Sequence, residues 1–78
     1  MPKMKNYIRA GQLRKWKKEF EGVIDGETLI GEFLVIECQG TYRNSNGDYE
    51  KIWTITNGVD GVMNGWWTSY INKSSDAV

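Results

Sequence analysis

Hydrophobic and polar positions alternate with a period of two over several short segments, which glycines and turn-forming clusters separate. A period of two is typical of β-strands, since successive side chains point to opposite faces of a sheet. In the segment 29–38, one face carries Ile30, Leu34, Ile36 and Cys38, and the other carries Gly31, Phe33, Val35 and Glu37. The segment is rich in residues that favour strands, and it predicts a strand that bends near Gly31.

A second alternating segment, 49–56, places Tyr49, Lys51, Trp53 and Ile55 opposite Glu50, Ile52, Thr54 and Thr56. Turn-forming residues at 44–48 separate it from the first segment, and Asn46-Gly47 suits the positive φ angles of a tight hairpin. The two segments therefore predict an antiparallel hairpin. Another turn signal at 57–61 and a short strand over 62–68 follow.

The basic N-terminal segment permits two interpretations. Leu13, Trp16 and Phe20 have helical spacing, whereas Arg14, Trp16, Lys18 and Phe20 share one face of a strand. Gly11 and the lack of a clear capping residue disfavour the helix. Residues 19–27 are expected to form an acidic, glycine-containing loop, and residues 74–78 a frayed tail.

Taken in order, these segments resemble small SH3-like β-barrels, of a kind common among bacteriophage proteins. The resemblance rests on a first strand at 11–16, a long loop, a strand entering through Ile30-Gly31, a meander, and the closing segment 65–71. It implies an all-β, five-stranded barrel with a short 3₁₀ turn near the C-terminus. The chain would then comprise a basic arm (1–10), the barrel (11–73) and a tail (74–78).

The same resemblance implies a scaffold used for contacts with proteins and nucleic acids, and the fold alone does not choose between them. The acidic, tyrosine-rich opening of the SH3 domains that bind proline-rich peptides is missing. Binding of proline-rich peptides is therefore not implied.

The length of the chain limits the number of domains, and its charges are unevenly distributed. The 78 residues are enough for one domain with a small core, to which four tryptophans contribute large apolar surfaces. Residues 1–18 hold seven Lys and Arg and no carboxylate, a charge of +7; residues 19–78 hold three against ten, a charge of −7. The zero net charge therefore conceals a strong asymmetry along the chain.

The residue types present exclude several kinds of chemistry. The chain has no histidine, so triads that need an imidazole are impossible. Cys38 is the only cysteine, which excludes an internal disulfide and a multi-thiolate zinc site, and we expect it in the core. With no apolar run of about 18 residues and no signal peptide, we expect a cytoplasmic protein, in the host cytoplasm or the virion if it has the phage origin that the resemblance suggests. From the residue types, we expect no enzyme activity, no cofactor and no metal.

Two groups of residues are candidates for binding. The first contains the aromatic residues Trp66, Trp67 and Tyr70, together with Trp16. Because neighbouring residues on a strand face opposite ways, Trp66 and Trp67 cannot both enter one core, and an outward indole is a typical anchor for a protein partner. The alternative is that the basic arm, Lys3 to Arg9, covers the outer indole.

The second group contains Arg14, Lys15, Lys17 and Lys18, which can contact phosphates while Trp16 or Trp66 stacks on a base. The competing interpretation is a solvated strand face offset by nearby carboxylates. The leading hypothesis is a module that binds a protein or a second copy of itself, and the alternative is a small barrel that binds single-stranded nucleic acid. Neither membrane contact nor a small-molecule substrate is expected.

Overall fold

The computed structural model describes residues 8–24, 27–58 and 61–78. The basic arm lies almost wholly outside these residues, so its predicted contact with an indole lies outside them too. These described residues form seven strands, one helix and a 3₁₀ turn at Lys18–Phe20. In chain order they are β1 (Leu13–Trp16), β2 (Gly22–Ile24), β3 (Glu27–Leu29), β4 (Glu32–Arg43), β5 (Tyr49–Thr56), β6 (Val62–Trp67), α1 (Thr68–Ser74) and β7 (Ser75–Ala77).

The fold is mostly β, as the alternating pattern predicts. Five strands form one antiparallel sheet in the order β6-β5-β4-β1-β7, and β2 pairs with β3 in a separate hairpin. The first strand therefore lies between β4 and the last strand of the chain. The sheet is not closed, because β6 and β7 form its two edges.

The core lies on one face of the sheet and under the helix. It contains the buried side chains Ile8, Trp16, Leu29, Phe33, Val35, Trp53, Ile55, Met63 and Ile71. Six of these nine residues lie on the strands of the five-stranded sheet, and Ile71 lies on α1. Burial of such side chains contributes about 1.5–3 kcal/mol each relative to an exposed position, and this supports a small domain without disulfides.

The predicted hairpin is confirmed. β4 and β5 pair antiparallel, with Arg43 opposite Tyr49 at the turn and Leu34 opposite Thr56 at the far end. The Asn44 side chain stabilises the turn, because its Oδ1 accepts hydrogen bonds from the N–H groups of Asn46 and Asp48 at 2.9 and 3.0 Å. Gly47 has a φ of 87°, which a residue with a side chain rarely adopts.

Cys38 is not in the core as predicted but is exposed. The face of β4 that enters the core is the one with Phe33 and Val35, whereas Leu34 is 40% exposed. The β4–β5 register has two irregularities, between Val35 and Glu37 and between Cys38 and Gly40, and the residues of β4 after Ile36 are exposed or half-buried. The predicted alternation puts Cys38 on the face of Leu34, and that face does not enter the core, so the expectation of a core cysteine is wrong.

The C-terminal segment is ordered structure rather than the predicted frayed tail. An α-helix of seven residues takes the place of the predicted 3₁₀ turn, and β7 then pairs with β1. Ser74 and Ser75 are buried where helix and strand meet. Backbone bonds from Lys17 N–H to Ser74 O (2.8 Å) and from Val78 N–H to Leu13 O (3.1 Å) lie at the two ends of this pairing.

A buried arginine joins the last strand to the first. The Arg14 side chain is fully buried, and it donates from Nε to Ser75 Oγ at 2.8 Å and from its terminal nitrogens to Ser75 O at 3.0 Å and Gln12 Oε1 at 3.2 Å. Ser75 Oγ in turn donates to Ile71 O at 2.6 Å. Burial lowers the pKa of Arg14, an effect that Asp76 partly offsets. Oxygen acceptors at the C-terminal end of α1 thus stabilise the buried cation.

We predict that Arg14→Ala lowers the free energy of unfolding by about 3 kcal/mol, because it opens a cavity and leaves buried acceptors without donors. Arg14→Met fills most of the volume and should cost about 1–2 kcal/mol. Urea unfolding followed by tryptophan fluorescence measures both. The matched control is Lys15→Met on the exposed face of the same strand, for which we expect less than about 1 kcal/mol. Equal losses for Arg14→Ala and Lys15→Met would contradict the assignment.

Candidate functional site

Aromatic rings form a continuous series from the core to the surface. Phe33 stacks on Trp16 with ring centroids 4.1 Å apart, and Trp16 contacts Trp66 at 5.4 Å. Trp66 contacts Tyr70 at 5.7 Å, and Tyr70 meets Phe20 edge-on at 6.4 Å. The first two rings are buried, whereas the last three are half-buried. Together with the half-buried Trp67, they form what we call the aromatic surface: Phe20, Trp66, Trp67 and Tyr70.

The end of β6 and the start of α1 determine where the two adjacent indoles lie. Trp66 is in register with the buried Trp53 on β5 and packs against the core. Trp67 is in register with Ile52 and lies instead beside the hairpin turn, where it lines a groove with Tyr70. Both indoles are half-buried, so neither of them is the fully outward ring that the sequence predicts. Trp66 packs against the core, and Trp67 lines the groove.

Glu50 fixes the start of the helix. α1 begins after Trp67 without a side-chain cap of its own. The carboxylate of Glu50, from the neighbouring strand β5, accepts hydrogen bonds from Ser69 N–H (2.9 Å) and Ser69 Oγ (3.1 Å), and Asn44 Nδ2 also donates to it. Glu50 on β5 is therefore hydrogen-bonded both to the hairpin turn, through Asn44, and to the helix, through Ser69.

These bonds favour the ionised form of Glu50. The Ser69 backbone N–H is the largest cause of a lowered pKa for this carboxyl; partial burial opposes the shift, and the Asn44 and Ser69 side chains reinforce it. A negative charge at a helix N-terminus is also favourable to the helix. The carboxylate is thus charged at neutral pH and held in one position.

The groove beside Glu50 is a small polar and aromatic pocket. It has a volume of about 290 Å³, and its walls include Asn44, Glu50, Trp67, Ser69 and Tyr70. We call it the Glu50 groove. Outside this groove, the Nζ of Lys73 lies 5.9 Å from the Tyr70 ring and 6.0 Å from that of Phe20. The aromatic surface is therefore bordered by a carboxylate and by an ammonium group.

Two residues predicted to bind ligands are buried instead. Arg14 is fully buried and bonded to Ser75 and Gln12, so it is not a phosphate ligand. Trp16 is 2% exposed, and its ring is covered by Phe33 and Trp66, so it can neither stack on a base nor anchor a partner. The inward face of β1 carries both residues, and the sheet and the helix enclose that face.

The remaining basic residues lie among carboxylates. Lys15 is in register with Glu32 on β4 and with Asp76 on β7. A groove of about 950 Å³ is lined in part by charged side chains of both signs: Lys15, Lys17, Lys18, Glu19, Glu21, Glu32 and Asp76. The charge separation along the chain is therefore not preserved on this surface. This arrangement matches the competing interpretation of these cations, a solvated strand face offset by carboxylates.

Phe20, Asn44 and Glu50 were not identified as site residues from the sequence. Alternation placed Glu50 correctly on its strand, but it gave no reason to connect it with a helix nineteen positions away. The sequence does contain one indication that the helix needs such a partner. The segment from Thr68 has no carboxylate in its first turn, so its exposed N–H groups need an acceptor from elsewhere.

Comparison with known proteins found no matching family model, no similar curated protein and no similar solved structure. None of the helices in the described residues is long and apolar enough to cross a membrane. Within residues 8–24, 27–58 and 61–78, no three acidic or cysteine side chains form a cluster that could hold a metal ion. The interpretation of the site therefore rests on its own geometry.

We predict that Glu50 makes stability depend on pH. Because its pKa is lowered in the folded state, its contribution is present at neutral pH and is lost as the pH falls below about 4.3, the ordinary glutamate value. Glu50→Gln should lower the free energy of unfolding by about 0.5–1 kcal/mol at pH 7, a modest amount for a partly exposed carboxylate, and by less at pH 3.5. Urea unfolding at both pH values measures this.

The control for this experiment is Glu37→Gln, since Glu37 is exposed on β4. Its effect should be small and nearly the same at the two pH values. If Glu50→Gln cost as much at pH 3.5 as at pH 7, the stabilising group would not be the ionised carboxylate.

Proposed function

We propose that this chain is a non-enzymatic protein-binding module whose contact site is the aromatic surface. The observation that supports this most is the grouping of four half-buried aromatic side chains from two distant parts of the chain, Phe20 and residues 66–70. Tryptophan and tyrosine are the residues most enriched as anchors of protein interfaces. Trp66 also packs on the buried Trp16, and contacts already made in the free protein reduce the side-chain entropy lost on binding.

The proposal includes an SH3-like scaffold. Element order supports it: a first strand, a long excursion containing the β2–β3 hairpin, a three-strand meander, a short helix and a last strand. The return of β7 to pair with β1 also fits this scaffold. Two features depart from the predicted pattern, the open sheet and the α-helix in place of a 3₁₀ turn. An accessory or assembly role of the bacteriophage type, in the cytoplasm or the virion, is the part of the proposal that rests on the resemblance alone.

Binding of single-stranded nucleic acid is the alternative, and the arrangement of charges favours it less. Of the four cations predicted to contact phosphates, Arg14 is buried and Lys15 lies between two carboxylates. A polyanion approaching Lys15, Lys17 and Lys18 would also meet four carboxylates around the same groove. Such a surface provides little of the uncompensated positive charge on which phosphate binding depends.

A selection experiment tests the proposal. Peptides are selected from a random display library on the immobilised wild-type protein, and their affinities for variants are measured by fluorescence polarisation. We expect Trp67→Ala and Tyr70→Ala to weaken binding by about 30-fold, equivalent to about 2 kcal/mol. Tyr49→Ala is the matched control, because Tyr49 is 72% exposed and lies outside the aromatic surface. Its effect should stay below about threefold.

Thermal unfolding of each variant shows whether it is folded. If Trp67→Ala does not fold, Trp67→Leu, which keeps an apolar side chain, takes its place. Failure to select any peptide, or equal losses for Tyr49→Ala and Tyr70→Ala, would overturn the proposal. Labelled single-stranded DNA and RNA are titrated in parallel at low and physiological salt, and we expect no salt-dependent binding. Binding that salt weakens and that Lys15→Glu with Lys17→Glu abolishes would establish the alternative.

A further inference from the structure

The Glu50 groove has the size and walls of a receptor for one side chain. Its volume of about 290 Å³ lies just below the range of about 300–1,000 Å³ that is typical of small-molecule pockets. Trp67 and Tyr70 provide aromatic walls, and Asn44 and Glu50 provide polar ones. This combination of ring surfaces and an acceptor differs from the purely apolar pocket that would accept a leucine or a proline.

The charge of the groove is negative. Glu50 is the charged residue among the described side chains that line it. Its carboxylate has about four acceptor positions, and Ser69 N–H, Ser69 Oγ and Asn44 Nδ2 occupy three of them. One acceptor position therefore remains, on Oε1, which accepts the Ser69 N–H bond while Oε2 accepts the other two. The lowered pKa of Glu50 keeps this group ionised at neutral pH.

We propose that the Glu50 groove binds a cationic side chain of the partner protein, with arginine preferred over lysine. A guanidinium is planar, so it can lie against the Trp67 or Tyr70 ring while one of its N–H groups reaches Glu50. An ammonium group can make the charge contact but lacks the flat face. This inference rests on the proposed function, because it specifies the partner chemistry at the same surface.

The protein already uses the same kind of contact within its own chain. Lys73 Nζ lies within 6.0 Å of the Tyr70 and Phe20 rings, and the Arg43 guanidinium lies 6.0 Å from the Tyr49 ring. Lys73 does not line the Glu50 groove. A partner's cation would therefore approach Tyr70 from the Trp67 side, where the part of the groove lining that the structure describes contains a carboxylate and no cation.

The test uses a small probe whose charge can be removed without changing its shape. N-acetyl-arginine methylamide and the matching citrulline compound, which is neutral, are titrated into ¹⁵N-labelled wild-type protein. We expect saturable shifts of the Trp67 indole N–H and of the Ser69 and Asn44 amides with the arginine probe, and binding about tenfold weaker with citrulline. Glu50→Gln should remove this preference, whereas Glu37→Gln should retain it. Equal binding of the two probes, or a preference that Glu50→Gln leaves unchanged, would overturn the inference.

The peptides selected for the proposed function separate the two claims. If their binding depends on Trp67 and Tyr70 and falls about tenfold when one arginine becomes citrulline, both claims stand. If binding depends on the two aromatic residues but the peptides carry no required cation, the binding module stands and the cation groove is wrong. If no peptide is selected and the arginine probe causes no shift, both fail.

Discussion

The buried guanidinium of Arg14 holds the last strand of the chain against the first, and the position of the aromatic surface depends on this contact. β7 has only three residues, so its backbone pairing alone is weak. Arg14 adds two hydrogen bonds to Ser75, one to the side chain and one to the backbone carbonyl. Because Ser75 also bonds Ile71 O, the same cation fixes the C-terminal end of the helix that carries Tyr70.

A buried charge is costly, and it persists in a small protein only where acceptors surround it. Here those acceptors are oxygen atoms of Gln12 and Ser75 rather than a bonded carboxylate. The N-terminal end of the helix is held in a second way. Thr68 Oγ1 donates to Lys51 O and accepts from Trp53 Nε1, both at 2.8 Å, and Glu50 binds Ser69. Tyr70 therefore lies on a helix of about two turns that hydrogen bonds hold at both ends.

The sequence predicted those parts of the fold that depend on short-range patterns. Alternation located β5 from Tyr49 to Thr56, and the turn-forming residues located the hairpin that joins it to β4. The alternating pattern did not predict burial that depends on contacts between residues far apart in the sequence. Ser74 and Ser75 are typical of a tail, yet both are buried by contacts with distant or helical residues: Ser75 accepts from Arg14, and Ser74 O accepts from Lys17 N–H. Arg14 and Lys15 are adjacent basic residues, yet Lys15 faces solvent and Arg14 faces the core.

The same limit applies to the candidate site. Trp66, Trp67 and Tyr70 stand out by residue type alone, and they meet on one surface. The binding role predicted for Trp16 is wrong, because its side chain is buried. Residue type could not show this, since a tryptophan on a short strand is as typical of a core as of a surface. Glu50 and Phe20 join the surface through contacts 19 and 50 positions along the chain. Pairings over such distances leave no periodic signal that a single sequence can show.

Hydrogen exchange at Arg14 tests the central claim most directly. If Arg14 clamps β7 to β1, its Nε–H should be protected from exchange as strongly as the Val78 N–H that bonds Leu13 O, and both should open with the core strands. NMR measurement of side-chain and backbone exchange rates in the wild-type protein gives these values. An Arg14 Nε–H that exchanges as fast as that of the exposed Arg43, with β7 opening independently of the core, would contradict the account.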